Sequence, residues 1–243
     1  MSVVIAILIG LMLGSFLSVL IARWPHWRGV VSGRSVCPYD GHTLAWYELV
    51  PLISWLVQGG RCRVCSKPIS PWYPVYELTM AGALALAVPH GWLSVAAVAV
   101  LIALFFFDVR RMVLPDVLVA ALGLLAVAGL TLGQGNTVHA FEAAAALAGG
   151  FGALFVFSRG RWLGLGDVKL GAVLGLWFGL RTGVYVTVIA IYIGALVGLA
   201  LLSTQRASGK TALPFGAFWT AVAIAAILAP TTISRIGGIL VPW

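Results

Sequence analysis

Apolar residues fill long stretches of the chain, and polar ones arrive in short clusters between them. The first run, "SVVIAILIGLMLGSFLSVLIA", holds about twenty apolar or small residues, enough to cross a hydrocarbon core of roughly 30 Å. It has no basic flank before it and no small-residue cleavage site after it, so it reads as a retained helix rather than a signal peptide. Further apolar segments lie at 74–89, 92–107, 115–132, 138–157, 167–180, 184–203 and 213–241. The separator "GLRTG" at 179–183 is thin, and Pro214 and Pro230 are expected to bend or divide the last segment. The pattern predicts an all-α polytopic integral membrane protein of about eight transmembrane helices.

Residues 23–73 break this pattern. They carry Arg23, Arg28, Arg34, Arg61, Arg63 and Lys67, all 3 Cys, and several Pro and Gly. This predicts a small aqueous domain, so the expected organisation is a first helix at 1–22, a Cys-containing loop domain at 23–73, and a multi-helix region at 74–243.

Composition sharpens the class. With 61% hydrophobic and 9% charged residues and mean hydropathy +1.05, a soluble domain of this length is excluded. The net charge of +8 does not point to nucleic acid, because no basic region carries an interleaved aromatic reading surface. In an eight-helix arrangement the six basic residues of the loop share one side with Arg110, Arg111, Arg159, Arg161, Arg206 and Lys210. Lys169 lies near that side's boundary, and only Arg181 and Arg235 fall opposite. The asymmetry assigns the basic face to the cytoplasm and both termini to the outside.

Within the loop, "CPYDGH" and "CRVC" space Cys37 and Asp40, then Cys62 and Cys65, like the halves of a zinc knuckle. Zinc takes four tetrahedral ligands, and a pair two residues apart lets one tight turn supply both. Three thiolates plus Asp40, or His42 as the alternative fourth ligand, would form a structural, zinc-ribbon-like site. A loop of reduced thiols that binds nothing is the competing reading. A disulfide is disfavoured on a cytosolic face.

The chain has only 7 acids. Asp40 and Glu48 fall in the loop, and Glu142 lies near the outer end of a helix, where it is solvated. Glu77, Asp108, Asp116 and Asp167 remain, all expected near the cytoplasmic boundary. Singly, each has a structural explanation: Asp108 an interfacial pairing with Arg110 or Arg111, Asp116 a favourable helix start after Pro115, Asp167 a helix cap in "GLGD". Together, Asp108 closes an inward-running helix and Asp167 opens an outward-running one, at the same depth. Gly164 and Gly166 would let a substrate backbone approach. Two carboxylates sharing a site cannot both ionise cheaply, so one acts as base while the other keeps its proton, which is what hydrolysis of a peptide bond by water requires. No Gly-x-Ser-x-Gly elbow, His-Glu-x-x-His or phosphate-binding glycine loop is present, and His26, His42, His90 and His139 are scattered. The alternative from another class is a transporter or channel that uses Asp108 and Asp167 as a proton or cation site.

Over nearly its whole length the chain resembles the prepilin peptidases, the GxGD-type intramembrane aspartyl proteases that process type IV prepilins and type II secretion pseudopilins. The resemblance rests on "GSFLSVLIARWP", "WYELVPLISWL", "GRCRVCSKPISPWYPVYELT", "DVRRMVLPD", "GLGDVKLGAVLGLW" and "LPFGAF". It implies that Asp108 and Asp167 are the catalytic pair and that a short basic leader is removed at the cytoplasmic face of the inner membrane. It also implies that members commonly N-methylate the new amino terminus with S-adenosylmethionine. Lys169, Asp116 and Glu77 are expected to organise the site or meet substrate charges, with interfacial salt bridges as the plainer reading. Three positions depart from the family pattern: Asp40 for the second Cys, Ser18 for an Asn, and Ala217 for the second Pro of the late motif.

Overall fold

The computed structural model describes residues 1–25, 33–204 and 212–241. His26, Arg28, Arg206 and Lys210, used above for orientation or chemistry, lie outside the described residues. Among the described residues all regular elements are helical, with two isolated β-bridges, Val36 to Thr43 and Arg61 to Pro68. The chain divides into two compact units, Met1–Pro89 and His90–Trp243.

The N-terminal unit contains α1 (Val3–Arg23), the short α2 (Ile53–Val57) and α3 (Trp72–Ala87). Ser2 caps α1 by accepting the Ile5 N–H at 3.3 Å. Small residues put the two long helices in backbone contact. A Cβ added at Gly10 would lie 2.5 Å from the Cα of Ala81, and one added at Gly14 would lie 2.5 Å from the Cα of Glu77. Leu8, Met12 and Phe16 point outward and are exposed. Small residues inside and large apolar ones outside is the reverse of a soluble helix. It suits lipid, where close van der Waals packing, and not hydrophobic exclusion, joins helices.

The C-terminal unit runs α4 (Trp92–Arg111), α5 (Asp116–Thr131), α6 (Thr137–Ser158), α7 (Leu165–Ser203), α8 (Phe215–Leu228) and α9 (Pro230–Leu240). Its centre is the fully buried Trp219, with Phe151 at 4.6 Å and Phe215 at 5.4 Å between ring centroids. Gly175 of α7 presses on α6, where an added Cβ would meet the Ala143 carbonyl at 2.7 Å. Helix α7 breaks at Gly179 (φ 71, ψ 179). That conformation needs glycine, and the chain folds back so that a Cβ at Gly183 would lie 3.9 Å from the Gly175 Cα. The thin "GLRTG" separator is therefore a corner between two helical arms. Pro230 opens α9 and divides the last apolar segment, as its missing N–H favours.

Four helices, α1, α4, α6 and α7, are long and apolar enough to cross a membrane, and α5 and α8 are apolar but shorter. The protein is a helical membrane protein. Replacing Gly14 by Val should destabilise the N-terminal unit by about 1–3 kcal/mol through overpacking. Gly82→Ala, where a Cβ meets nothing within 4 Å, should be neutral or mildly stabilising. Thermal unfolding in detergent, followed by size-exclusion recovery, distinguishes the two.

Candidate functional site

Asp108 sits in the last turn of α4 and is only 6% exposed. Its Oδ2 accepts the backbone N–H of Ala217 at 2.7 Å, from the first turn of α8. The opening N–H groups of a helix have no partner within the helix and favour negative charge, so α8 begins by serving Asp108. Ala217 stands where the family motif has proline, which lacks the N–H. The departure noticed in the sequence thus supplies a hydrogen bond. Gly216 lets the carboxylate approach, since a Cβ there would lie 3.0 Å from Asp108 Oδ2.

Asp167 is half-buried and is the third residue of α7. The cap position belongs to Gly164, whose N–H donates to Asp167 Oδ2 at 3.2 Å. The carboxylate therefore reaches back over the helix start instead of capping it. The chain around Asp108 and that around Asp167 meet at one residue. Between their supports lies Leu114, from the α4–α5 connection: a Cβ at Gly166 would meet its Cβ at 3.1 Å, and one at Gly216 would meet its side chain at 3.1 Å. The space beside Gly166 is thus occupied by Leu114.

The remaining acids divide. Asp116, at the start of α5, receives Lys169 Nζ from α7 at 2.8 Å on both oxygens, with both side chains substantially solvated. Glu142 pairs with His139 at 3.0 Å on the surface. Glu77 belongs to the N-terminal unit and is 5% exposed. Its Oε2 accepts the Leu52 N–H at 2.8 Å. Leu52 holds φ 60, ψ −50, with the Ile53 N–H on the Pro51 carbonyl at 2.6 Å, a strained γ-turn. Leu114, Leu52 and the Ala217 N–H are absent from the sequence reading, because a backbone donor or a packing leucine has no signature of its own.

The Cys loop folds into two matching knuckles. The Gly41 N–H bonds the Cys37 carbonyl at 3.0 Å and the Ser66 N–H bonds that of Cys62 at 2.9 Å. The Cys37 and Cys62 N–H groups reach His42 and Lys67 carbonyls, each at 2.9 Å. Asp40 occupies the place in the first turn that Cys65 has in the second. Ligand atoms of Cys37, Asp40, His42 and Cys62 lie within 4.8 Å of one another. All three cysteines are free thiols, and the Cys37 and Cys65 sulfurs stand 3.7 Å apart. A tetrahedron with Zn–S bonds of about 2.3 Å has an edge of about 3.8 Å. Asp40 Oδ1 bonds His42 Nδ1 at 2.7 Å, while the buried His42 Nε2 has no hydrogen-bond partner. The His42 imidazole, with a smaller contribution from the Cys37 thiol, holds the Asp40 carboxyl down at about 2. The same Asp40 bond raises His42. The donor set fits a metal ion.

A helical membrane unit with two carboxylates at helix ends, and a separate unit whose thiol-rich loop could hold a metal ion, defines the class. Residues 8–90 match the bacterial peptidase A24 N-terminal domain, and residues 95–199 match the type IV leader peptidase family. A Myxococcus xanthus protein called prepilin leader peptidase/N-methyltransferase is 39% identical over 219 residues, 84% of this chain. The chain spans 64% of that relative's length. Proteins of the same name from Aeromonas hydrophila (32% identical, 94% of this chain and 91% of the relative) and Burkholderia pseudomallei strain 1026b (35%, 91% and 83%) align more completely. No solved structure matches significantly. The chain belongs to the type IV leader peptidase family.

The solvated Lys169–Asp116 pair should contribute little to stability. A double-mutant cycle with Lys169→Gln and Asp116→Asn, read by thermal unfolding, should give a coupling below about 1 kcal/mol.

Proposed function

We propose that the protein is an aspartic endopeptidase that removes the short basic leader from type IV prepilins or type II secretion pseudopilins. The observation that carries this reading is Asp108 and Asp167 at helix ends that both pack on Leu114, in a leader peptidase family member. One carboxylate takes a proton from water, whose oxygen attacks the scissile carbonyl carbon. The other, protonated, bonds the carbonyl oxygen and later gives its proton to the departing amine as the C–N bond breaks. The pair titrates as a unit. Gly164 and Gly166 shape the start of α7 around Asp167, and Asp116 with Lys169 ties α5 to α7 beside it; Glu77 organises the N-terminal unit. The eight apolar segments span a bacterial inner membrane, with the corner at Gly179 separating two spans and the basic loops cytoplasmic.

The Cys loop holds structural zinc through Cys37, Cys62, Cys65 and a fourth ligand. The orphaned Nε2 supports His42 in that place, with Asp40 orienting the imidazole through Nδ1, a common carboxylate–histidine arrangement around zinc. The relatives' name supports N-methylation of the new amino terminus as a second activity, with S-adenosylmethionine as donor.

Purified protein should cleave a prepilin-like precursor, read by intact mass, with a methyl group added when the donor is supplied. Asp108→Asn and Asp167→Asn should each lower cleavage by about 10²–10⁴-fold; unchanged cleavage in either would remove the dyad. Metal analysis should find stoichiometric zinc, abolished by His42→Ala and weakened about 10–100-fold by Asp40→Asn.

A further inference from the structure

The stretch "WYELVPLISWLV" at 46–57 belongs to the loop that the sequence assigns to water, yet its single charged residue is Glu48. It folds as a 3₁₀ turn, Trp46–Leu49, followed by α2, Ile53–Val57. Both pieces turn their polar residues inward. Glu48 and Ser54, with Gln58 just past α2, line the interior of the N-terminal unit beside Trp55. Trp46, Tyr47, Ile53, Leu56 and Val57 are exposed, Trp46 at 79% and Val57 at 81%. At about 3.6 residues per turn, Ile53, Leu56 and Val57 share one face of α2, and Ser54, Trp55 and Gln58 share the other. We propose that this outward face is a membrane anchor: residues 46–57 lie in the interface of the bilayer that the protein spans, with those five exposed side chains against lipid. The proposal is independent of the peptidase and methyl-transfer readings.

A loop domain bathed in water gains by burying large apolar side chains, and this one presents them. The same exterior is found on α1, where Leu8, Met12 and Phe16 face outward. The stretch is also tied to the level of the membrane helices. Its central turn gives the Leu52 N–H to Glu77 of α3 at 2.8 Å, and the Glu77 backbone packs on Gly14 of α1. Gly14 lies roughly 13 Å before the end of α1 at about 1.5 Å per residue. A turn held there by one side chain sits below the point where α1 ends. A stretch of this length is too short to cross a hydrocarbon core of roughly 30 Å and suits a segment lying along its boundary. Trp and Tyr are the residues enriched at that level. Arg63, whose guanidinium stands 5.3 Å from the Tyr47 ring centroid, brings positive charge to the edge of the face, where anionic headgroups lie.

Photo-cross-linking of the full chain in nanodiscs of phosphatidylethanolamine and phosphatidylglycerol tests the anchor. Leu56→p-benzoylphenylalanine and Val57→p-benzoylphenylalanine are compared with the same replacement at outward-facing Leu8 and at solvated Glu142, with elution profile as the check on folding. After irradiation, intact mass should show a phospholipid adduct at both positions, as at Leu8, in a yield about tenfold above that at Glu142. Hydroxyl-radical labelling of the unsubstituted protein in the same discs gives an answer free of variants: Trp46 should be oxidised about tenfold less than the exposed Tyr39 of the first knuckle. Yields at Leu56 and Val57 no higher than at Glu142, with Leu8 labelling lipid, would overturn the anchor, as would equal oxidation of Trp46 and Tyr39. An adduct to a second copy of the chain, or loss of the lipid adduct when a prepilin-like precursor is added, would overturn it too and make the face a protein-docking surface.

Discussion

A carboxylate inside an apolar helical protein must find hydrogen-bond donors, and the layout of this molecule follows from how it finds them. Asp108, Asp167 and Glu77 each turn to a main-chain N–H: Ala217 at 2.7 Å, Gly164 at 3.2 Å and Leu52 at 2.8 Å. Each donor lies where the chain starts a helix or makes a tight turn, the places with N–H groups to spare. Such donors are neutral and rigid. They hold the carboxylate in place without bringing an opposite charge to it. The solvated acids follow the other solution: Asp116 and Glu142 meet Lys169 and His139.

That solution requires backbones to come close, which explains the glycines. Gly216 admits Asp108 to the start of α8, Gly166 admits Leu114, and Gly14 brings α1 onto the backbone of Glu77 itself. At Gly216 the missing side chain is what lets a carboxylate and its donor meet in a tightly packed setting, and at Gly14 and Gly166 it lets backbone and Leu114 close up. Helix association through small residues and the anchoring of carboxylates are therefore one arrangement, since lipid offers neither water for the acids nor hydrophobic exclusion for the helices.

Much of this was legible in the sequence. Hydropathy alone marks the apolar segments that become α3 to α9, and the "GLRTG" interruption and Pro230 mark the corner and the division. Cysteine spacing marks both knuckles. The illegible parts were relations between distant backbone groups. Asp167 reads as a cap because "GLGD" is local, yet the helix begins at Leu165 and the acid folds back on Gly164. Glu77 reads as an acid near the cytoplasmic boundary, but its donor is 25 residues away in a turn whose strain no composition reveals. The orphaned nitrogen of His42 likewise follows from Asp40 holding the opposite side of the ring.

The bond from Ala217 to Asp108 is made by a group that almost every amino acid possesses. Alanine scanning, the customary search for functional contacts, is blind to it, because the residue is already alanine and its side chain takes no part. In a saturation library every residue small enough for the site would keep this bond except proline, which has no N–H to donate. The contact at this position belongs to the main chain, and only a change that removes the N–H itself would reveal it.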